Sequence, residues 1–89
     1  MAKSQLTIIN KLGLHARAAA KFVSTATAFG SKISISANGQ TVDGKSIMSV
    51  MMLAASQGTD IELECVGDDE QEALQAITDL INRRFDEAE

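Results

Sequence analysis

The segment KISISANGQTV, residues 32–42, constrains the fold more than any other part of the sequence. Apolar and polar residues alternate in KISISA, which predicts a strand with one buried face, because successive side chains of a strand point to opposite sides. Asn38-Gly39 follows, and this dipeptide is the strongest short signal for a two-residue hairpin turn. QTV is then the short returning strand. The chain is therefore expected to contain an antiparallel sheet.

The other segments add helices and strands in a regular order. The sequence predicts a strand over 4–10, a helix over 16–28, the hairpin, a helix over 46–55, a strand over 60–66 and a last helix that begins near residue 68. Two β-α-β units around a hairpin predict an α+β fold of order β-α-β-β-α-β-α, an open-faced β-sandwich whose four-stranded antiparallel sheet carries three helices on one face. A ferredoxin-like domain gives nearly the same order, so a small regulatory ligand-binding domain is an alternative.

Side-chain spacing predicts which faces are buried. Helical or strand periodicity places the following residues in the core: Ala19, Phe22, Val23 and Ala26; Ile33 and Ile35; Ile61, Leu63 and Cys65; Leu74, Ile77, Leu80 and Ile81. Acidic residues precede the last helix, and Arg83 and Arg84 are expected in its last turn. Cys65 is then a small core residue.

Length and composition narrow the class of protein. A chain of 89 residues suits one domain, here 1–89. No apolar run is long enough for a signal peptide or a membrane span, and one cysteine forms no internal disulfide, so a cytoplasmic location is expected. One His and one Cys offer no metal-ligand set, and we expect neither a metal nor a cofactor.

The net charge of −4 conceals an uneven distribution. Residues 1–59 contain six Lys/Arg and one Asp, whereas residues 60–89 contain two Arg and eleven Asp/Glu. The first part is suited to an acidic partner, and the second predicts a solvated acidic face. An acidic chain with three Phe, no Trp and no Tyr is not expected to bind nucleic acid.

His15 is the only histidine, and it lies where a loop gives way to a helix in NKLGLHARAAAKF. The first amide groups of a helix lack internal partners and carry partial positive charge, so a phosphate on this imidazole would be well placed. Gly13 is expected to make room for an anion, and Arg17 to contact it. The alternative is that His15 only caps the helix or lies exposed.

Two segments resemble one family. NKLGLHARAAAKFV is similar to the active-site segment of the HPr family of histidine-containing phosphocarrier proteins, and DGKSIMSVMMLAASQGTDIELECVGDDEQEAL to its second signature. The resemblance implies that enzyme I, charged from phosphoenolpyruvate, phosphorylates His15 on Nδ1, and that the group passes to an enzyme IIA domain. Arg17 matches the family's active-site arginine. Such a protein is a carrier and not an enzyme.

The chain departs from the sugar-transport branch in several places. Ala18 stands where that branch usually has proline, and an alanine still suits a first helical turn. The NKLG, MMLAA and FDEAE segments are more similar to the nitrogen-related branch, called NPr. Sugar uptake and nitrogen-related regulation both remain open.

The helix after Gly44 carries the remaining candidate residues. Ser46 is expected to be an N-cap, and the alternative is regulatory phosphorylation by a serine kinase/phosphorylase, as in Gram-positive relatives. Val50 and Leu53 are expected in the core. Ala16, Ile47, Met48 and Met51 are expected to form the partner-docking surface, with positive charge near His15 from Arg17 and Lys45. A monomer is the expected state, and an interaction module that acts only through the methionines is a further alternative.

Overall fold

The computed structural model describes residues 1–89, with four strands, three α-helices and one 3-10 turn. The strands are β1 (Ala2–Thr7), β2 (Lys32–Ala37), β3 (Gln40–Asp43) and β4 (Asp60–Val66). The helices are α1 (Ala16–Thr27), α2 (Ile47–Met52) and α3 (Glu70–Asn82), and the 3-10 turn is Arg84–Asp86. This confirms the predicted order of elements.

The four strands form one antiparallel sheet in the order β1-β4-β2-β3. Strand β4 lies between β1 and β2, so it is one of the two interior strands and joins β1 to the β2-β3 hairpin. Its Ile61, Leu63 and Cys65 are buried, while Glu62 and Glu64 lie on the opposite, more exposed face. The helices cover one face and leave the other to solvent, as the open-faced arrangement requires.

The hairpin between β2 and β3 has the turn that its sequence predicts. Asn38 has φ 52° and Gly39 has φ 80°, the positive values that a type I′ turn needs at both positions. The Asn38 side chain also donates a hydrogen bond to the Leu53 carbonyl at 3.1 Å, which ties the turn to the end of α2.

One hydrophobic core of 22 buried residues lies between the sheet and the helices. Helix α1 contributes Phe22, Val23 and three alanines, because its apolar positions recur at helical spacing. In α3 the prediction was wrong at one position: Ala73 is buried, and Leu74 lies at the margin of the core.

Several element boundaries differ from the predicted ones, three of them at the ends of β1, α2 and α3. Strand β1 ends at Thr7 because its pairing partner, Asp60, is the first residue of β4. Helix α2 ends at Met52, since Ala54 adopts a left-handed φ of 53° that closes the helix. Helix α3 ends at Asn82, so the prediction that Arg83 and Arg84 lie in its last turn was wrong: Arg83 is the C-cap residue and Arg84 lies beyond it.

None of the helices is both long and apolar enough to cross a membrane.

Candidate functional site

The loop before His15 packs closely against the loop after α2. The Leu14 amide donates to the Ala55 carbonyl at 2.9 Å, and Gly13 has φ 66°. A Cβ on Gly13 would lie 2.5 Å from that carbonyl oxygen, so only glycine allows this approach. The expectation that Gly13 makes room for an anion was wrong, because the space is filled by the backbone of Ala55 and Ser56.

His15 is the N-cap residue of α1. Its backbone is extended, with φ −73° and ψ 178°, and its carbonyl accepts a hydrogen bond from the Ala19 amide at 2.8 Å. The His15 side chain makes no capping hydrogen bond, so the imidazole itself does not cap the helix. The amides of Ala16 and Arg17, two exposed residues, consequently have no partner in the structure and remain available to an anion, whereas Ala18 is fully buried.

The imidazole instead contacts a carboxylate from the other end of the sequence. His15 Nε2 is hydrogen-bonded to Glu87 Oε2. The second oxygen, Glu87 Oε1, accepts from Asn10 Nδ2 at 3.0 Å, and the same amide donates to the Gly13 carbonyl at 2.8 Å. Asn10 is fully buried. The three side chains therefore form a connected chain of hydrogen bonds.

The electrostatic environment of Glu87 favours its ionised form. Burial opposes ionisation, but hydrogen bonds from Asn10 and His15 and the charges of His15 and Arg17 together lower the pKa of Glu87. Its side chain is only 12% exposed, whereas that of His15 is 28% exposed. Solvent and partners thus have better access to the imidazole than to the carboxylate.

A left-handed turn brings residues 87–89 back to this site. Arg84, Phe85 and Asp86 have φ values of 58°, 54° and 62°, which residues other than glycine rarely adopt. Phe85 is fully buried, and its carbonyl accepts a hydrogen bond from Lys21 Nζ at 2.8 Å. These contacts offset the cost of the turn and hold the last residues against α1.

Arg17 faces a shallow cleft of mixed charge beside His15. The cleft is lined by Lys11, Leu12, Arg17, Lys21 and residues 86–89. Lys11 pairs with Glu89 at 3.3 Å, and Lys21 with Asp86 at 3.9 Å. The Arg17 guanidinium has no partner within salt-bridge distance, so it is the cation of this cleft that remains available to an incoming anion.

Helix α2 exposes a group of large apolar side chains, here called the methionine patch: Ile47, Met48, Met51 and Met52. Met48 is 68% and Met52 is 71% exposed. Val50 and Leu53 are buried, as predicted. Met52 was missed by the sequence reasoning because it belongs to an apolar run that gave no sign of which members face solvent. The exposed Leu12 beside the cleft was missed as well. Ala16 is exposed next to His15, as expected of a docking residue.

Ser46 and Lys45 lie beside the C-terminal end of α1, whereas His15 lies at its N-terminal end. The Ser46 hydroxyl accepts from the Ser49 amide at 3.3 Å, which confirms it as the N-cap of α2. Lys45 Nζ donates to the Phe29 carbonyl at 2.7 Å, just beyond the end of α1. The expectation that Lys45 adds positive charge near His15 was therefore wrong, because α2 begins at the end of α1 opposite to the imidazole.

No group of three His, Cys, Asp or Glu side chains is placed to hold a metal ion. Cys65 is buried, and burial together with nearby carboxylates raises the pKa of its thiol. The thiolate form that a nucleophile or a metal ligand needs is thus disfavoured.

Sequence reasoning missed Asn10 and Glu87 as neighbours of His15. Asn10 was placed in a strand, and Glu87 belonged to a tail that showed no periodicity. The one available signal was Phe85, a large apolar residue in an acidic tail, which suggests a segment anchored to the core.

The chain is similar to known proteins over most or all of its length. The family model described as "PTS HPr component phosphorylation site" matches residues 2–83. The phosphocarrier protein HPr of Neisseria meningitidis serogroup A is 57% identical over 89 residues, the whole of both chains, and that of Pseudomonas aeruginosa is 57% identical over 86 residues, 96% of each.

Solved structures show the same fold. The crystal structure of HPr-C-His from Thermoanaerobacter tengcongensis has a TM-score of 0.96 and 46% identity, with all of both chains covered. A structure described as an HPr dimer from the same organism has a TM-score of 0.79 and 47% identity, covering 98% of this chain and 100% of that one.

The fold and the matches define a small carrier of phosphoryl groups and not a catalyst, as the sequence predicted. The chain belongs to the HPr family, the phosphocarrier proteins of the phosphotransferase system.

Proposed function

We propose that His15 accepts a phosphoryl group on Nδ1 from enzyme I, which is charged by phosphoenolpyruvate, and passes it to an enzyme IIA domain, in sugar uptake or nitrogen-related regulation. One observation carries the proposal: the imidazole lies at the start of α1, beside the exposed, unpartnered amides of Ala16 and Arg17 and the unpaired Arg17 guanidinium. A phosphate of about two negative charges suits that position.

The methionine patch and Ala16 supply the surface for these partners. An exposed apolar helix face is unusual on a small protein and is typical of adaptable docking. Arg17, next to Ala16, adds positive charge at one side, so the complementary partner surface is an apolar cleft with an acidic rim. Residues 1–89 act as one domain in this proposal, and a monomer suffices because donor and acceptor use the same surface in turn.

The test is incubation with enzyme I and labelled phosphoenolpyruvate. The unmodified protein should take up label that is acid-labile and base-stable, as a phosphoramidate is. His15→Ala should take up none, while its melting temperature stays close to that of the unmodified protein, because a half-exposed residue contributes little to stability. Label that persists in His15→Ala would contradict the assignment. A protein that takes up no label and binds a metabolite would favour the regulatory alternative.

A further inference from the structure

The contact with Glu87 decides which nitrogen of His15 carries the hydrogen. A neutral imidazole has one N–H group and one nitrogen with a free lone pair, and the partner of one nitrogen determines the state of the other. An ionised carboxylate only accepts hydrogen bonds. Since His15 Nε2 faces Glu87 Oε2, the hydrogen belongs on Nε2, and the lone pair is on Nδ1.

Asn10 holds the carboxylate in this role. Its Nδ2 donates both to Glu87 Oε1 and to the Gly13 carbonyl, so the amide group cannot reverse without losing both bonds. Asn10 is fully buried, which prevents water from replacing either contact. The Asn10 amide thus holds Glu87 Oε1, and Glu87 Oε2 is left to contact the imidazole.

We propose that Glu87 is a positioning residue for phosphoryl acceptance, which holds His15 in the tautomer whose Nδ1 is unprotonated. The inference rests on the proposed function, in which Nδ1 is the acceptor. The Nδ1 lone pair forms the bond to phosphorus while the bond from phosphorus to the donor atom of enzyme I breaks, and that electron pair leaves with the donor. The hydrogen stays on Nε2, where the Glu87 carboxylate stabilises the positive charge that the ring gains.

The isosteric variant Glu87→Gln makes the sharpest test. A glutamine side chain has one oxygen and one NH2 group, and the Asn10 amide requires the oxygen on its own side. The NH2 group then faces His15 Nε2, which has to accept, so the hydrogen moves to Nδ1. Glu72→Gln is the matched control, because it removes the same charge at an exposed residue of α3 that contacts neither His15 nor the cleft.

The first readout is the 15N NMR spectrum of the imidazole in the unphosphorylated protein. His15 is the only histidine, so both imidazole nitrogen signals in the spectrum belong to it. At pH 8 the unmodified protein and Glu72→Gln should show a protonated Nε2. Glu87→Gln should show a predominantly protonated Nδ1.

The second readout is the rate of labelling by enzyme I. If the competent tautomer falls from nearly all to about a tenth of the population, labelling of Glu87→Gln should slow by about tenfold relative to Glu72→Gln. An unchanged tautomer in Glu87→Gln would overturn the proposal, and so would an inverted tautomer with an unchanged rate. Failure of the unmodified protein to take up label would overturn the proposed function instead, while the spectrum would still decide the role of the Glu87 contact.

Discussion

At the scale of single residues, the cations around His15 differ in what they already bind. Lys11 and Lys21 are each paired with an acidic residue of the tail, whereas Arg17 has no such partner. An incoming phosphoryl group therefore meets one free guanidinium and the unpartnered amides of α1. A bidentate guanidinium is well suited to a phosphate, because its donors match the spacing of the oxygens.

Arg17→Ala should slow phosphoryl transfer to and from His15 without unfolding the protein. A hydrogen bond to a charged group is worth about 1.5–3 kcal/mol, which corresponds to a rate about ten- to a hundredfold lower. The measurement is single-turnover labelling from enzyme I and discharge to an enzyme IIA domain. Lys32→Ala, which removes an exposed cation beyond the far end of α1, is the control and should leave both rates unchanged. Equal rates for the two variants would make Arg17 ordinary helix surface.

At the scale of elements, α1 and α2 run in opposite directions. Ala55, just after α2, contacts Leu14 next to the start of α1, and Lys45, just before α2, contacts Phe29 beyond the end of α1. The methionine patch thus extends from near His15 toward the Ser46 end. Ser46 is adjacent to Ile47, the first residue of the patch, so a charge at Ser46 borders the docking surface.

Ser46→Asp should weaken binding to enzyme I while stability is preserved or slightly raised. An anion at a helix N-terminus is favourable for the fold, but it loses water and meets an acidic partner rim when the patch docks. We expect Kd to rise by at least about tenfold in a binding titration. Ser46→Asn keeps a neutral cap and should bind normally. If both variants bind with the original affinity and melt normally, Ser46 serves only as a cap.

Much of the arrangement within single helices and strands was predictable, because it depends on local sequence. Asn38-Gly39 specifies its turn by the φ values that both residues adopt, and Ile33 and Ile35 specify the buried face of β2 by their spacing. The end of α2 was not predictable in the same way. Ala54 takes a left-handed conformation without being glycine, so no residue type marked the boundary.

At the scale of the whole molecule, three carboxylates link stability to pH, because the pKa values of Asp69, Glu70 and Glu87 are all lowered. Hydrogen bonds from the Ser31 hydroxyl and the Gly30 amide lower the pKa of Asp69, and the pKa of Glu87 is lowered as well. Folding then favours the ionised forms. Their contribution is complete above the ordinary values of 3.8 and 4.5 and is lost as pH falls through the lower values of the folded state.

We therefore expect the free energy of unfolding to fall from pH 5 to pH 2.5, and the fall to be smaller in Asp69→Asn. Urea titrations at several pH values measure both. Asp79→Asn is the control, since that exposed carboxylate contacts only the Gln75 side chain, and its curve should parallel that of the unmodified protein. An Asp69→Asn curve as steep as the control would show that these hydrogen bonds do not favour the ionised form.

Only half of the candidate site was predictable, because the other half is assembled by the fold of the whole chain. His15 and Arg17 lie two positions apart, so their proximity followed from the sequence. Glu87 and Asn10 reach His15 through a fold in which residues 72 and 77 positions apart touch, and no periodicity encodes such contacts. The anchoring of Phe85 determines them, and it depends on the finished core.

The left-handed turn at Arg84–Asp86 also has a consequence in time. Synthesis proceeds from residue 1 upward, so a growing chain displays His15 long before the ribosome has made Glu87. Until then Asn10 has no carboxylate to hold, and the imidazole is free to exchange its hydrogen between both nitrogens. If Glu87 has the role proposed above, the nascent protein exposes the segment around His15 in an unfinished state, and the imidazole acquires its final protonation pattern only when the last turn closes.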